Sequence, residues 1–275
     1  MSEPSHGKAE SEPFERYLAD VGWVLSPRPC SGPRQEFFKR ANEIDLFYTI
    51  ASTFIQEGRK AFDAWAQREH LSPDTPIRIT EEDGTRRAAP YGLLRSRSPT
   101  LRQQLANQVF LALYGSFEAY IADVVCDAYS QLGEGDPESR TLQTIYGKRW
   151  PGRLDSMHQD LQVQLPKRRF TSAFKGQTLV FLGKKRDDPR DFLEDLAQVR
   201  HLLVHSAGRV SAAFLADYPE AAISAGDLIN IPYATLRHIE LFLFRMTDVL
   251  DAAFAEKFGW ARPVKDPAKL LFTDP

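Results

Sequence analysis

Apolar residues recur through residues 34–70 at alternating steps of four and three: Phe37, Ala41, Ile44, Tyr48, Ala51, Ile55, Gly58, Phe62 and Trp65. Such steps return to one face of an α-helix and predict a single long helix with a continuous apolar seam. A second seam, Leu101, Leu105, Val109, Leu113, Phe117, Ile121, Val124 and Ala128, predicts a helix from Pro99 to about Leu132, stopped by Gly133-Glu134-Gly135. The third helix, 188–207, opens on Asp188-Pro189, a cap followed by proline at the first helical position, and stops near Gly208. The fourth, 232–258, buries Leu236, Ile239, Leu243, Met246, Leu250, Phe254 and Phe258. The expected fold is therefore all-α, an antiparallel helical bundle of about four long helices.

The segments between them are less regular. Residues 71–98 contain several prolines and the stretch PIRITEEDGTRR, where Asp83-Gly84 supplies a turn between β-prone runs, so a short β-hairpin excursion is expected. Residues 133–187 are a patchwork of short helical stretches split by Pro151, Pro166 and Gly176, whose order the pattern does not give. Residues 1–33, rich in Ser, Pro and Glu with a short amphipathic patch around Phe14, Tyr17, Leu18 and Trp23, read as a flexible N-terminal arm. The rest, 34–275, reads as one helical domain with insertions at 71–98 and 133–187.

Composition is that of an ordinary globular chain: 275 residues, 43% apolar and 26% charged. Cys30 and Cys126 lie far apart and offer neither a disulfide framework nor zinc spacing, so a reducing cytoplasm is the expected home. The N-terminus lacks a basic start and an apolar stretch, and the run 239–254 is interrupted by Arg245, Asp248 and Asp251, so neither export nor a membrane is expected. The net charge of −2 announces no nucleic acid, but residues 140–190 hold 12 Lys or Arg against four acids. Lys167, Arg168, Arg169, Lys184, Lys185 and Arg186 are the weak candidates there for contacting RNA phosphates. The competing reading is solvated loop charge.

No Gly-rich phosphate loop, Gly-x-Ser-x-Gly or His-Glu-x-x-His occurs, and no metal or cofactor is expected. The informative segment is VRHLLVHSAG, 199–208, in which Arg200 is followed by His201, three aliphatic residues and His205. Five helical residues span about 140° and about 7.5 Å, so Arg200 and His205 flank one helix edge and a long arginine reaches the same ligand. His205 falls in the last turn, where exposed carbonyls favour a cation. The pair suits RNA cleavage: attack by a ribose 2′-oxygen needs a proton acceptor, a proton donor and a cation for the phosphorane. One histidine does not easily serve as both acid and base, so a homodimer joining two Arg200/His205 pairs is expected. The spacing alone is weak, since 24 Arg and 6 His produce about half a match by chance. Arg153 and His158 repeat it in a context broken by Asp155 and Ser156, and are read as coincidence. The bland reading of Arg200 is an exposed residue pairing with Glu194 or Asp195, with His205 capping the helix. His70 and His238 read as a helix-end and an exposed helix residue, and Phe37, Tyr48, Phe62, Trp65 and Phe117 as core.

The same segment resembles the signature of HEPN domains, helical RNA-cleaving or RNA-binding modules whose motif is Arg, a polar residue, three further residues and His. The wider context, YGSFEAYIADVV at 114–125, VRHLLVHSAG, and GDLINIPYATLRHIELFLF at 226–244, is similar to the RiboL-PSP-type branch. The resemblance implies that Arg200 and His205 are catalytic, that His201 positions them, and that Glu118 partners Arg200. His201 stands where asparagine is more usual. The implied activity is a metal-independent endoribonuclease, a toxin or antiviral-defence effector acting on RNA, with an antitoxin or defence-system protein as partner. The alternatives are a non-catalytic HEPN-like RNA-binding or protein-interaction module, and a structural subunit docking through the arm or the basic segment.

Overall fold

A computed structural model describes residues 31–80, 82–133 and 135–260. In chain order these form α1 (Gly32–Arg68), β1 (Pro76–Thr80), β2 (Arg86–Pro90), α2 (Tyr91–Leu132), α3 (Pro137–Ile145), α4 (Trp150–Asp160), α5 (Lys167–Ala173), β3 (Leu179–Phe181), β4 (Lys184–Arg186), α6 (Pro189–His205), α7 (Ala212–Asp217) and α8 (Tyr233–Phe258). The fold is mostly α, with β1–β2 and β3–β4 as two small antiparallel hairpins. The arm expected over 1–33 lies outside the described residues up to residue 30. Residues 31–33 instead open α1: the Ser31 hydroxyl accepts from the Arg34 amide, and the Ser31 amide donates to both Asp251 carboxylate oxygens on α8 at 3.2 and 3.1 Å.

α2 is the axis. From Ala106 to Tyr129 it is buried on most of its circumference, and its aromatics join three layers. Phe37 of α1 meets Phe117 (6.2 Å) and Tyr120 (5.9 Å), Phe38 stacks on Phe244 of α8 (4.7 Å), and Phe117 meets Trp150 of α4 (5.5 Å). The Trp150 indole N–H donates to the Tyr114 hydroxyl, giving this fully buried ring its polar partner. One 18-residue window of α2 has a mean hydropathy of 1.5, enough by length and composition to cross a membrane, and half of it is buried inside this bundle.

α2 begins at Tyr91, eight residues before the Pro99 start that the sequence predicts, and carries Pro99 inside it. The first-turn amides explain the extension: Tyr91 donates to the Thr75 carbonyl (2.9 Å) and Gly92 to that of Pro73 (2.8 Å), while the Tyr91 ring packs on Phe62 (5.3 Å). Beyond Tyr48 the next buried residue of α1 is Ala66, and among the described side chains of α2 none is buried from 92 to 105, so these halves pair mainly with each other as a two-helix arm. The β1–β2 hairpin caps it, with Ile77 opposite Ala89 and the turn at Asp83-Gly84, where Gly84 has φ +82. The unordered 133–187 stretch resolves into α3, α4, α5 and a hairpin that the sequence reading lacks. Its turn, Leu182-Gly183, has φ positive at both residues, the geometry of a tight hairpin.

α1 and α8 also share a charged contact. The Arg237 guanidinium pairs with Glu240 one turn on and lies 3.9 Å from Asp45 of α1, while the second oxygen of Glu240 is buried without a hydrogen bond. Burial, then the neighbouring Asp45, outweighs Arg237 and pushes Glu240 up to about 7. The unfolded chain releases this proton near pH 4.3, so the group makes stability fall as pH rises from about 4.3 to 7, by about 1–3 kcal/mol. Urea midpoints between pH 4.5 and 7.5 should lose that slope in Glu240→Gln; an unchanged slope contradicts the assignment. At the centre, Phe117→Ala should cost about 3–5 kcal/mol in chemical denaturation, and a loss below about 1 kcal/mol would deny Phe117 its place as keystone.

Candidate functional site

α6 is fixed at both ends and along one side. Asp188 caps it, accepting from the Arg190 amide at 3.0 Å and from the Arg190 guanidinium. Burial raises the Asp188 carboxyl, but the Arg190 donors outweigh that and hold it below the usual carboxylate range. Further along, buried Asp195 accepts from Arg186 (2.7 Å) and from the Tyr218 hydroxyl (2.7 Å). Glu194 accepts from the Trp150 amide and from Gln198, both at 2.8 Å. The two acids nearest to Arg200 on its own helix are thus committed elsewhere, which removes the same-helix pairing.

Arg200 turns instead to α2. Its Nε lies 3.7 Å from Glu118 Oε2, and the other oxygen of Glu118 lies 3.8 Å from an Arg153 guanidinium nitrogen of α4. Three helices meet there, with Glu118 as a shared anion between two arginines. The three side chains differ in depth: Arg153 is 15% exposed, Glu118 23% and Arg200 41%, so the cluster opens outward through Arg200. Arg153 is held by its Nε, which donates to the Lys148 carbonyl (2.7 Å), and by the Trp150 ring, 4.7 Å from its guanidinium. Its Nη1 is buried with no hydrogen bond, so the Glu118 charge is what balances it. Burial, reinforced by Glu118, pushes the Tyr114 hydroxyl far above its ordinary range and keeps it neutral beneath the cluster.

His205 projects from the last turn of α6 and His201 from the turn before it. Both are exposed, one turn apart, with ring centroids 4.4 Å apart and Val204 half exposed beside them. The helix closes on the Leu202 carbonyl, which accepts from Ser206 (2.9 Å) and Gly208 (3.1 Å). Gly208 has φ +77, and a Cβ there would meet a Leu203 methyl at 3.2 Å, so glycine ends this helix for conformational and steric reasons. The result is an exposed edge carrying Arg200, two imidazoles and a helix C-terminus. The two imidazoles are the available nitrogen ligands, and among the described residues no group of three or more His, Cys, Asp or Glu is placed to hold a metal.

Five of the six basic candidates meet partners of their own. Arg169 forms a two-pronged pair with Glu256 (2.8 and 2.7 Å), Arg186 holds Asp195, Lys167 reaches Asp188 (3.3 Å), Lys185 reaches Asp187 (3.8 Å), and Lys184 donates to the Asp217 carbonyl (3.0 Å). Arg168 is exposed. Arg169 and Arg186 in particular are structural cross-links, because satisfying a carboxylate on another element costs them their freedom to meet a ligand. His70 and His238 are exposed, and His158 contacts the Val163 carbonyl at 2.7 Å.

Arg153 is the residue that sequence reasoning set aside. Its role depends on α2, α4 and α6 meeting, and the sole signal was its place beside Trp150 in a short helix. If Glu118 balances both arginines, a double-mutant cycle of Glu118→Gln with Arg200→Ala should give a coupling of about 0.5 kcal/mol, kept small by solvent at the exposed Arg200. The cycle with Arg153→Ala should give a larger one, and zero coupling in both cycles would dismiss the cluster. No family model, curated protein or solved structure matches this chain.

Proposed function

We propose that the chain is a metal-independent endoribonuclease of HEPN type that uses Arg200 and His205 on the exposed edge of α6. The observation that carries this reading is the ion pair of Arg200 with Glu118 of another helix, on the same C-terminal stretch of α6 as exposed His205, five residues on and one turn from His201. In a two-fold dimer, one His205 takes the proton from the ribose 2′-hydroxyl as its oxygen bonds to phosphorus. The second His205 gives a proton to the departing 5′-oxygen as its bond to phosphorus breaks. The two Arg200 guanidinium groups bind the non-bridging phosphate oxygens and stabilise their growing charge. His201 supports the His205 ring, Glu118 positions Arg200, and exposed Val204 supplies an apolar contact for the second copy. A toxin or antiviral-defence effector restrained by a partner protein, acting in the cytoplasm, is the biological setting that the resemblance implies.

The test is incubation of the protein with defined RNAs in EDTA, resolved on a denaturing gel. Wild type should cut, and Arg200→Ala and His205→Ala should be about 100-fold slower or worse with unchanged helical circular dichroism. Equal cleavage by His205→Ala would sink the assignment. Salt-sensitive RNA binding by all three without scission would replace it with a non-catalytic RNA-binding module.

A further inference from the structure

The two-helix arm bears an apolar patch facing solvent. Leu46, Phe47, Ile50 and Phe54 of α1 are 50, 59, 47 and 72% exposed, and Leu101 of α2 is 52% exposed. At about 100° per residue, the four α1 positions lie roughly 100° around the helix from the line of Ile44, Tyr48, Ile55 and Phe62. They are therefore a second apolar face, separate from the one directed at α2. The contacts Phe37–Phe117 and Phe62–Tyr91 fix the antiparallel register and place Leu101 level with about residue 53. Leu101 is also turned roughly 100° from the interface in the same rotational sense, and for antiparallel helices that is the same side. Five large apolar side chains from two helices thus form one patch, a groove side fit for a third helix.

We propose that residues 13–25 of this chain, which lie outside the described residues, cover the patch as an amphipathic helix antiparallel to α1. Phe14, Tyr17, Leu18, Val21, Val24 and Leu25 recur at steps of three, one, three, three and one, an apolar face about 120° wide, with Pro13 suited to a first turn. Glu15, Arg16 and Asp20 fall outside that face, as does Trp23. The reach agrees. From Leu25 to Ser31, through Pro27 and Pro29, six extended steps cover about 18 Å, the rise of about 12 residues of α1. Leu25 then comes level with about residue 43, and Phe14, 11 residues away on an antiparallel helix, with about residue 54. That interval is the patch. The route is open, because Gly32, Glu36 and Glu43 are exposed along the same flank, and Arg28 is the one charge in the linker to pass those acids.

Hydrogen–deuterium exchange on the full chain tests this without reference to nuclease activity. Amides of 15–25 should exchange about tenfold or more slower than in a free peptide of residues 11–27. Ile50→Glu/Phe54→Glu, at exposed positions, should restore the peptide rate there while amides of 109–125 stay protected, and Leu18→Glu should do the same from the other side. Peptide-like exchange of 15–25 in the wild type overturns the proposal. So does protection that Ile50→Glu/Phe54→Glu leaves intact. A dimer in sedimentation that this variant dissolves, with 15–25 exchanging freely, gives the patch to a second copy instead.

Discussion

The burial of α2 is the constraint from which the rest follows. Between Ala106 and Tyr129 its exposed positions, among them Gln108, Ala112, Gly115, Asp123 and Asp127, make a narrow stripe, and every other direction is taken by a neighbour. Phe117 is the junction, touching Phe37 of α1, Tyr114 and Tyr120 within α2, and Trp150 of α4. Once Phe117 is locked into that core, the next residue is turned about 100° away with no freedom to choose its side. Glu118 is therefore delivered to the seam between α4 and α6. An anion forced into that half-buried seam recruits cations, and Arg153 and Arg200 supply them.

This gives the candidate site its particular character. A long arginine at an exposed helix edge ordinarily samples many rotamers, and holding it costs entropy. Here Glu118, 3.7 Å from the Arg200 Nε, biases where that side chain points, a modest bias at a side chain 41% exposed. His201 and His205 contribute a different quality, exposure. Nothing in the described chain covers them. The cluster is partly buried at Arg153 and Glu118 and opens to solvent at Arg200 and the two histidines.

The four long helices were legible because their signals are local: seams at helical spacing, Asp188-Pro189 at one start, Gly133 and Gly208 at two ends. The start of α2 was misplaced since Pro99 is a strong local signal, yet amide bonds to Thr75 and Pro73 and the Phe62–Tyr91 contact outweigh it. Residues 133–187 were illegible for the same reason in reverse. Short helices such as α4 and α5 exist because Trp150 and Phe170 are fully buried by distant elements, and β3–β4 turns on Leu182-Gly183, where leucine gives no turn signal. At the site, the shared edge of Arg200 and His205 follows from helix geometry, and Glu118 came from the resemblance. Arg153 could not be read from any one segment, and local charge over 167–186 does not reveal which of those cations are held by distant carboxylates, as Arg169 is by Glu256 and Arg186 by Asp195.

If, as we propose, this edge directs a ribose 2′-oxygen onto the adjacent phosphorus, the chemistry of the product ends tests it most directly. In EDTA, an RNA with one accessible single-stranded segment should yield a 2′,3′-cyclic phosphate on one fragment and a 5′-hydroxyl on the other. The same oligonucleotide with 2′-O-methyl groups throughout that segment should remain intact. Fragments ending in a 5′-phosphate, or equal cleavage of the methylated strand, would contradict the account.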